Sequence, residues 1–231
     1  MQITCDKLVI RYDAFSLTAD FTIPTGSRIA ILGPSGGGKS TLLSTLAGFK
    51  EVEQGQIIFG EMDVTNAPPS ERPLSILFQE HNLFPHLTVA QNIGLGLRPN
   101  LKLTQEDHQS VQNVIDATGL KGKADTLPKN LSGGQQQRAA LARAMLRDKP
   151  ILCLDEPFAA LGPALRQEML ALLGEVLDRS KATALMVTHN PSDALAFAEK
   201  TILVADGVAH KPKSTKTLLN NPPKALRDYL G

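Results

Sequence analysis

With 231 residues, 42% of them hydrophobic and 20% charged, the chain has the make-up of one large globular domain and not of a disordered or fibrous protein. A net charge of +1 excludes a uniformly basic nucleic-acid surface, though not a local patch. Met1-Gln2-Ile3-Thr4-Cys5-Asp6 meets a charge before any long apolar segment and no later run approaches span length. Neither a signal peptide nor a membrane span is therefore expected, and a membrane role would be borrowed from a partner.

Residues 3–10 read as a first strand and 20–24 as a second. Cys5 sits in the first and Cys153 in a later apolar run, so both are expected as buried thiols of a reducing compartment. Tyr12, one of two tyrosines, lies shortly ahead of the next strand. Its ring either stacks on a nucleotide base or packs at the strand end.

The run Ile29-Ala30-Ile31-Leu32 then leads into Gly33-Pro34-Ser35-Gly36-Gly37-Gly38-Lys39-Ser40-Thr41 and the helical Leu42-Leu43-Ser44-Thr45-Leu46. Strand, glycine loop and helix, with the spacing G-x-x-x-x-G-K-S, is the context of the phosphate-binding P-loop. Its glycines let successive backbone N–H groups face a phosphate at the positive end of the helix. Lys39 is placed to reach the β- and γ-phosphates and the Ser40 hydroxyl to bind Mg²⁺. A nucleoside triphosphate is the expected ligand.

Gly48 is expected to stop the helix, and residues 56–59 form a short strand. Residues 63–73, with Pro68, Pro69 and Pro73, read as an exposed loop ahead of a strand at 74–78. Gln79 ends that strand, where open α/β sheets place ligand contacts. It either touches Mg²⁺ or the attacking water, or is simply solvated. Residues 80–149 lack the β-branched runs seen elsewhere and read as a mostly helical insert. Within it Thr104 and Asp107 stand at capping-box distance, opening a helix that runs to about Thr118. His81 and His86 have no third ligand nearby and are read as solvated or contact-surface residues.

Ser132 is a good N-cap for the Ala- and Leu-rich helix that follows. Gly133 and Gly134 beside it make a second anion-ready turn. Ile151-Leu152-Cys153-Leu154 runs apolar into Asp155-Glu156-Pro157, and two carboxylates ending a buried strand are costly unless something uses them. Asp155 suits a Mg²⁺ ligand and Glu156 a base for the attacking water. Pro163 opens a helix to about Asp178, and a buried strand at 183–187 ends in Thr188-His189. A hairpin closes the core through Asp206-Gly207, and residues 211–231 form a short basic tail without room for a further regulatory domain.

Taken together, the P-loop at Gly33 to Ser40, Gln79, the LSGGQ sequence Leu131 to Gln135, Asp155-Glu156 and His189 resemble the ATPase subunits of ABC transporters, in the family's order. The resemblance extends from Tyr12 to His189. It implies an α/β fold: a P-loop NTPase (RecA-like) core with an antiparallel β subdomain and an inserted α-helical subdomain. On that organisation residues 1–79 and 150–210 make the core with its β subdomain, 80–149 the helical subdomain, and 211–231 the tail. It further implies that ATP and Mg²⁺ are bound. Tyr12, Gly33, Pro34, Ser35, Gly36, Gly37, Gly38, Lys39, Ser40 and Thr41 of one copy would hold the nucleotide against Ser132, Gly133, Gly134 and Gln135 of a second copy. Ser40, Gln79 and Asp155 would hold the metal. Glu156, His189, Gln79 and Lys39 would carry the chemistry.

The stretches at 77–97 and 158–170 resemble more closely the ATPases of bacterial thiamine importers. That likeness implies two transmembrane permease subunits, a periplasmic thiamine-binding protein as an indirect partner, and a place on the cytoplasmic face of the inner membrane. An importer of another solute, ferric iron or an inorganic anion, is the alternative. A non-transport relative acting on DNA or ribosomes is disfavoured, because one P-loop and no heptad run are present. No nucleic-acid partner is expected. One departure stands out: Ala159-Ala160-Leu161-Gly162 occupies the place of the family's usual S-A-L-D.

Overall fold

The structure, a computed structural model, describes residues 1–12, 15–78 and 83–230. Gln79 and His81, singled out above, lie outside the described residues. In chain order, β1 (Ile3–Tyr12), β2 (Phe15–Ile23) and β3 (Arg28–Leu32) lead to α1 (Lys39–Leu46). β4 (Gln54–Phe59), β5 (Met62–Asp63) and β6 (Leu74–Leu77) precede α2 (Val89–Gly94), α3 (Gln105–Ala117) and α4 (Gly133–Leu146). There follow β7 (Ile151–Asp155), α5 (Pro163–Ser180), β8 (Thr183–Val187) and α6 (Pro191–Phe197). β9 (Lys200–Ala205), β10 (Val208–Ala209), β11 (Lys213–Ser214), α7 (Thr215–Asn220) and α8 (Lys224–Leu230) complete the chain.

The chain forms two compact units, one of Met1–Leu74, Pro150–Asp155 and Lys181–Gly231, the other of Ser75–Lys149 and Glu156–Ser180. In the first, neighbouring strands follow the order β5-β4-β1-β2-β10-β9-β3-β8-β7, and β11 pairs with β9. β1 runs antiparallel to both β2 and β4, whereas β3 is parallel to β8 and β9, and β7 to β8. The mixed sheet is thus an antiparallel part joined to a parallel one, as expected. Burial follows the pairing. β2 alternates, with Leu17, Ala19, Phe21 and Ile23 buried between exposed neighbours, so one face meets the core. β7 and β8 are buried at every residue, as parallel strands covered on both faces must be.

The segment at 63–73 is exposed at Asp63, Asn66, Pro68, Ser70 and Glu71, as its prolines suggest, but it is anchored from beneath. Val64 is buried and Arg72 only 3% exposed. Arg72 donates to the carbonyls of Thr45 and Leu46 at 2.8 Å, of Ala67 at 2.9 Å and of Thr65 at 3.1 Å. Two of those acceptors are orphan carbonyls at the end of α1, where a cation also suits the helix dipole. Proline spacing marked the turns but gave no sign of a guanidinium folded beneath them.

The second unit is helical around its own apolar cluster of Val89, Ile93, Val111, Ile115, Leu120 and Leu131, with alanines of α4 closing it. Its helix starts are specified locally. Thr88 with Gln91, Thr104 with Asp107 and Ser132 with Gln135 each form a reciprocal capping box. Among the described residues no helix is long and apolar enough to cross a membrane.

Candidate functional site

Three parallel neighbours of the first unit deliver the sequence-predicted residues to one edge of the sheet. Val187 of β8 is in register with Ile31 of β3 and with Asp155 of β7. Gly33 therefore follows two residues past Ile31 and His189 two past Val187, while Asp155 itself ends β7. These are carboxyl ends of adjacent parallel strands, the edge at which open α/β sheets bind ligands.

Gly33 has φ 151°, and a Cβ there would lie 2.0 Å from the Val204 carbonyl oxygen, so no other residue fits. Gly38, at φ 103°, is the N-cap of α1 and makes no side-chain cap. The first N–H groups of α1 are thus left to a ligand and not to a capping hydroxyl. Lys39 is buried and its Nζ donates to the Gly33 and Pro34 carbonyls at 2.8 Å, which folds the ammonium back over the loop. Ser35, Gly36 and Ser40 are exposed, and Pro34, Gly37 and Thr41 half-buried.

Asp155 is 5% exposed at the end of β7. With the Ser40 hydroxyl it provides hard oxygen donors, the chemistry that Mg²⁺ prefers, and few enough to leave the remaining positions to water and phosphate oxygens. Among the described residues no group of three or more His, Cys, Asp or Glu side chains could hold a metal ion.

His189 is exposed, and its place is set from both sides. Thr188 N donates to the Ile31 carbonyl at 3.3 Å, and the Thr188 hydroxyl donates to Asp193 and accepts from Asn190 N at 3.1 Å. Asn190 in turn caps α6 through Ser192 N at 2.9 Å. Sequence reasoning stopped at His189 and missed this support, although Asn190 before Pro191 is a legible helix start. Tyr12 is 60% exposed, and Lys50 Nζ sits over its ring 3.9 Å from the centroid. Cys5 and Cys153 are buried, and burial above all pushes both thiols up to about 12, with the carboxylates of Asp20 and Asp155 adding to the rise. Neither is a thiolate at neutral pH, so neither is a nucleophile.

The second unit holds the remaining residues. Ser132 Oγ accepts from Gln135 N at 3.3 Å, and the Gln135 side chain accepts from Ser132 N at 2.9 Å. This box spends only part of the helix start. Gly133 and Gly134 occupy the first turn of α4, and a Cβ on Gly133 would meet nothing within 4 Å. The glycines keep that turn low enough for an anion to reach its N–H groups. Glu156 follows β7 with φ 51°, a left-handed backbone unusual for glutamate. Phe158 and Leu161 are buried beyond it, and Gly162 is exposed. Gln137, which the sequence reading passed over, is 2% exposed and bonded to this turn.

A family model described as ABC transporter matches residues 17–159. The chain is 54% identical over 226 residues to the thiamine import ATP-binding protein ThiQ of Cereibacter sphaeroides, covering 98% of each chain. It is 50% identical to the protein of the same name from Yersinia pseudotuberculosis, covering 93% of this chain and 91% of that one. Among solved structures it resembles a dimeric bacterial ABC transporter cassette, MJ0796, with TM-score 0.81 and 26% identity over 92% of this chain and 98% of that one. A post-hydrolysis dimer of the same cassette bound to ADP and Pi gives TM-score 0.79 and 25% identity, with the same coverage.

Proposed function

This chain belongs to the ABC transporter family, and from that premise we propose that it is the ATP-hydrolysing motor subunit of a bacterial importer of thiamine and its phosphates. The observation that carries the motor reading is the single sheet edge shared by the P-loop, Asp155 and His189. The solute rests on the identity to thiamine import ATP-binding proteins over nearly the whole chain.

In the proposed reaction, residues 33–41 wrap the phosphates of ATP with backbone N–H groups, and Lys39 turns from its two carbonyls to the β- and γ-oxygens. Tyr12 presents the ring face away from Lys50 to the adenine. Ser40, Asp155 and Gln79 would hold Mg²⁺, which would supply positive charge against the phosphate oxygens. Glu156 takes the proton of the attacking water, and His189 donates a ring N–H to the γ-phosphate. Ser132, Gly133, Gly134 and Gln135 of a second copy close over the same phosphate, so two ATP molecules join two copies head to tail. Hydrolysis releases the pair. Gln79 carries the change to the helical unit, which docks on the permease subunits at the cytoplasmic face of the inner membrane. A periplasmic thiamine-binding protein delivers the solute.

The test is thiamine uptake in cells lacking the gene, complemented with wild type or Glu156→Gln. Loss of the base should lower hydrolysis by roughly 10²–10⁴-fold, so only wild type restores uptake. Normal uptake without the gene would remove thiamine as the solute. Rescue by Glu156→Gln would remove Glu156 as the base.

A further inference from the structure

Gln137 lies in the second turn of α4, five residues after the Ser132 N-cap, and is 2% exposed. Its amide nitrogen donates to the Glu156 carbonyl and its amide oxygen accepts from Ala160 N–H, both at 3.1 Å. A primary amide has one donating and one accepting end, and here both are engaged by the backbone of one turn. The turn's own closure is weaker at its start: Ala159 N reaches the Glu156 carbonyl at 3.3 Å, whereas Leu161 N reaches Phe158 at 3.1 Å. The strain sits at that start, in the left-handed Glu156 with φ 51°. A non-glycine residue keeps such a backbone only where its surroundings over-determine it. The same turn also rests on the first turn of α4, since a Cβ on Gly134 would come within 3.3 Å of Leu161 Cδ2 and 3.4 Å of the Ala160 carbonyl oxygen.

We propose that Gln137 is a positioning residue: it holds the Glu156 backbone left-handed, thereby aims the carboxylate at the water, and locks that carboxylate to the helix whose start seats a phosphate. The inference rests on the proposed function. In the ATP-joined pair each copy contributes its Glu156 to one nucleotide and its Ser132 to Gly134 turn to the other. Gln137 is then the side chain through which closure on one phosphate fixes the base at the other. It touches neither substrate nor metal, so its loss should act on turnover and leave nucleotide affinity intact.

Two variants of the full chain separate this from a purely structural tie. An ionised Gln137→Glu still accepts from Ala160 but cannot donate to the Glu156 carbonyl, and Gln137→Met keeps the length and makes neither bond. ATP hydrolysis against Mg-ATP concentration is measured beside binding of a fluorescent ATP analogue and thermal melting. Both variants should lose about tenfold or more in kcat with KM and analogue affinity within about twofold of wild type, the pattern of an interaction made on the way to the transition state. Both variants matching wild-type kcat while Glu156→Gln is inactive would overturn the inference and leave the proposed function standing. A change confined to KM, or loss of the folded chain in both variants, would also overturn it, because Gln137 would then serve packing alone. A folded wild-type chain without ATP hydrolysis would overturn the proposed function and this inference with it.

Discussion

Gly162 stands exposed at the head of α5, its carbonyl accepting from Arg166 N at 2.9 Å, which makes it the N-cap position ahead of Pro163. A Cβ there would meet nothing within 4 Å. An aspartate can therefore be restored without strain. As a cap, aspartate over glycine adds only a few tenths of a kcal/mol. A hydrogen bond to the partner copy would add about 0.5–1.5 kcal/mol, or up to about tenfold in rate. Gly162→Asp should thus melt slightly higher and hydrolyse ATP several-fold faster or couple it more tightly to uptake. Unchanged hydrolysis together with unchanged coupling would show that nothing was lost at Gly162. At this scale the sequence is legible where chemistry is written in neighbouring residues. Lys39, Ser40, Asp155 and Glu156 can be singled out as candidates because their spacing is local. Gln137 cannot, for its partners lie 19 and 23 residues onward, and nothing in a glutamine beside two others marks the one that turns inward.

Among the elements, α1 shows how a binding loop is supported from its far end. Its start has no capping side chain, and its end is tied by Arg72 to Thr45 and Leu46. Arg72→Met removes the charge and takes a donor from four backbone carbonyls, of which that of Thr45 keeps the Gly48 N–H at 3.0 Å. The loss should be roughly 2–4 kcal/mol of folding stability, since unsatisfied buried polar groups cost about 1–3 kcal/mol each and partial rearrangement recovers some of that. Arg72→Lys keeps the charge but not the fork, and should fall between the two. Chemical denaturation reads both, and a midpoint for Arg72→Met equal to wild type would sink the argument. Elements were legible in proportion to how local their causes are. β7 and β8 are short apolar runs bounded by turn residues, and α3 carries its capping box in the sequence. β2 begins at Phe15 and not at residue 20, because its alternation of buried and exposed residues is quieter than a run. β5 and β11, two residues each, exist through their partners Ile58, Phe59, Lys200 and Thr201 and have no signal of their own.

For the whole molecule, the decisive count is of half-sites. One chain has one P-loop sequence, at Gly33 to Ser40, and one Ser-Gly-Gly helix start, at Ser132 to Gly134. In the proposed reaction a complete site takes one half from each of two copies, so occupancy and association become the same event. Glu156→Gln, which binds ATP and cannot spend it, should therefore elute as a dimer with Mg-ATP and as a monomer with ADP. Adding Lys39→Ala to it removes the grip on the phosphates and should return the monomer at the same ATP concentration. Mass action fixes the scale. Ligand at 100 times its dissociation constant adds about 2.7 kcal/mol to the species that binds it, so the melting temperature of Glu156→Gln should rise with ATP and, because the species is a pair, with protein concentration too. Melting that rises with ATP at every protein concentration alike would describe a monomeric ATP site. In that case Ser132, Gly133 and Gly134 would not be seated on a partner's nucleotide, and the head-to-tail arrangement would have to be given up.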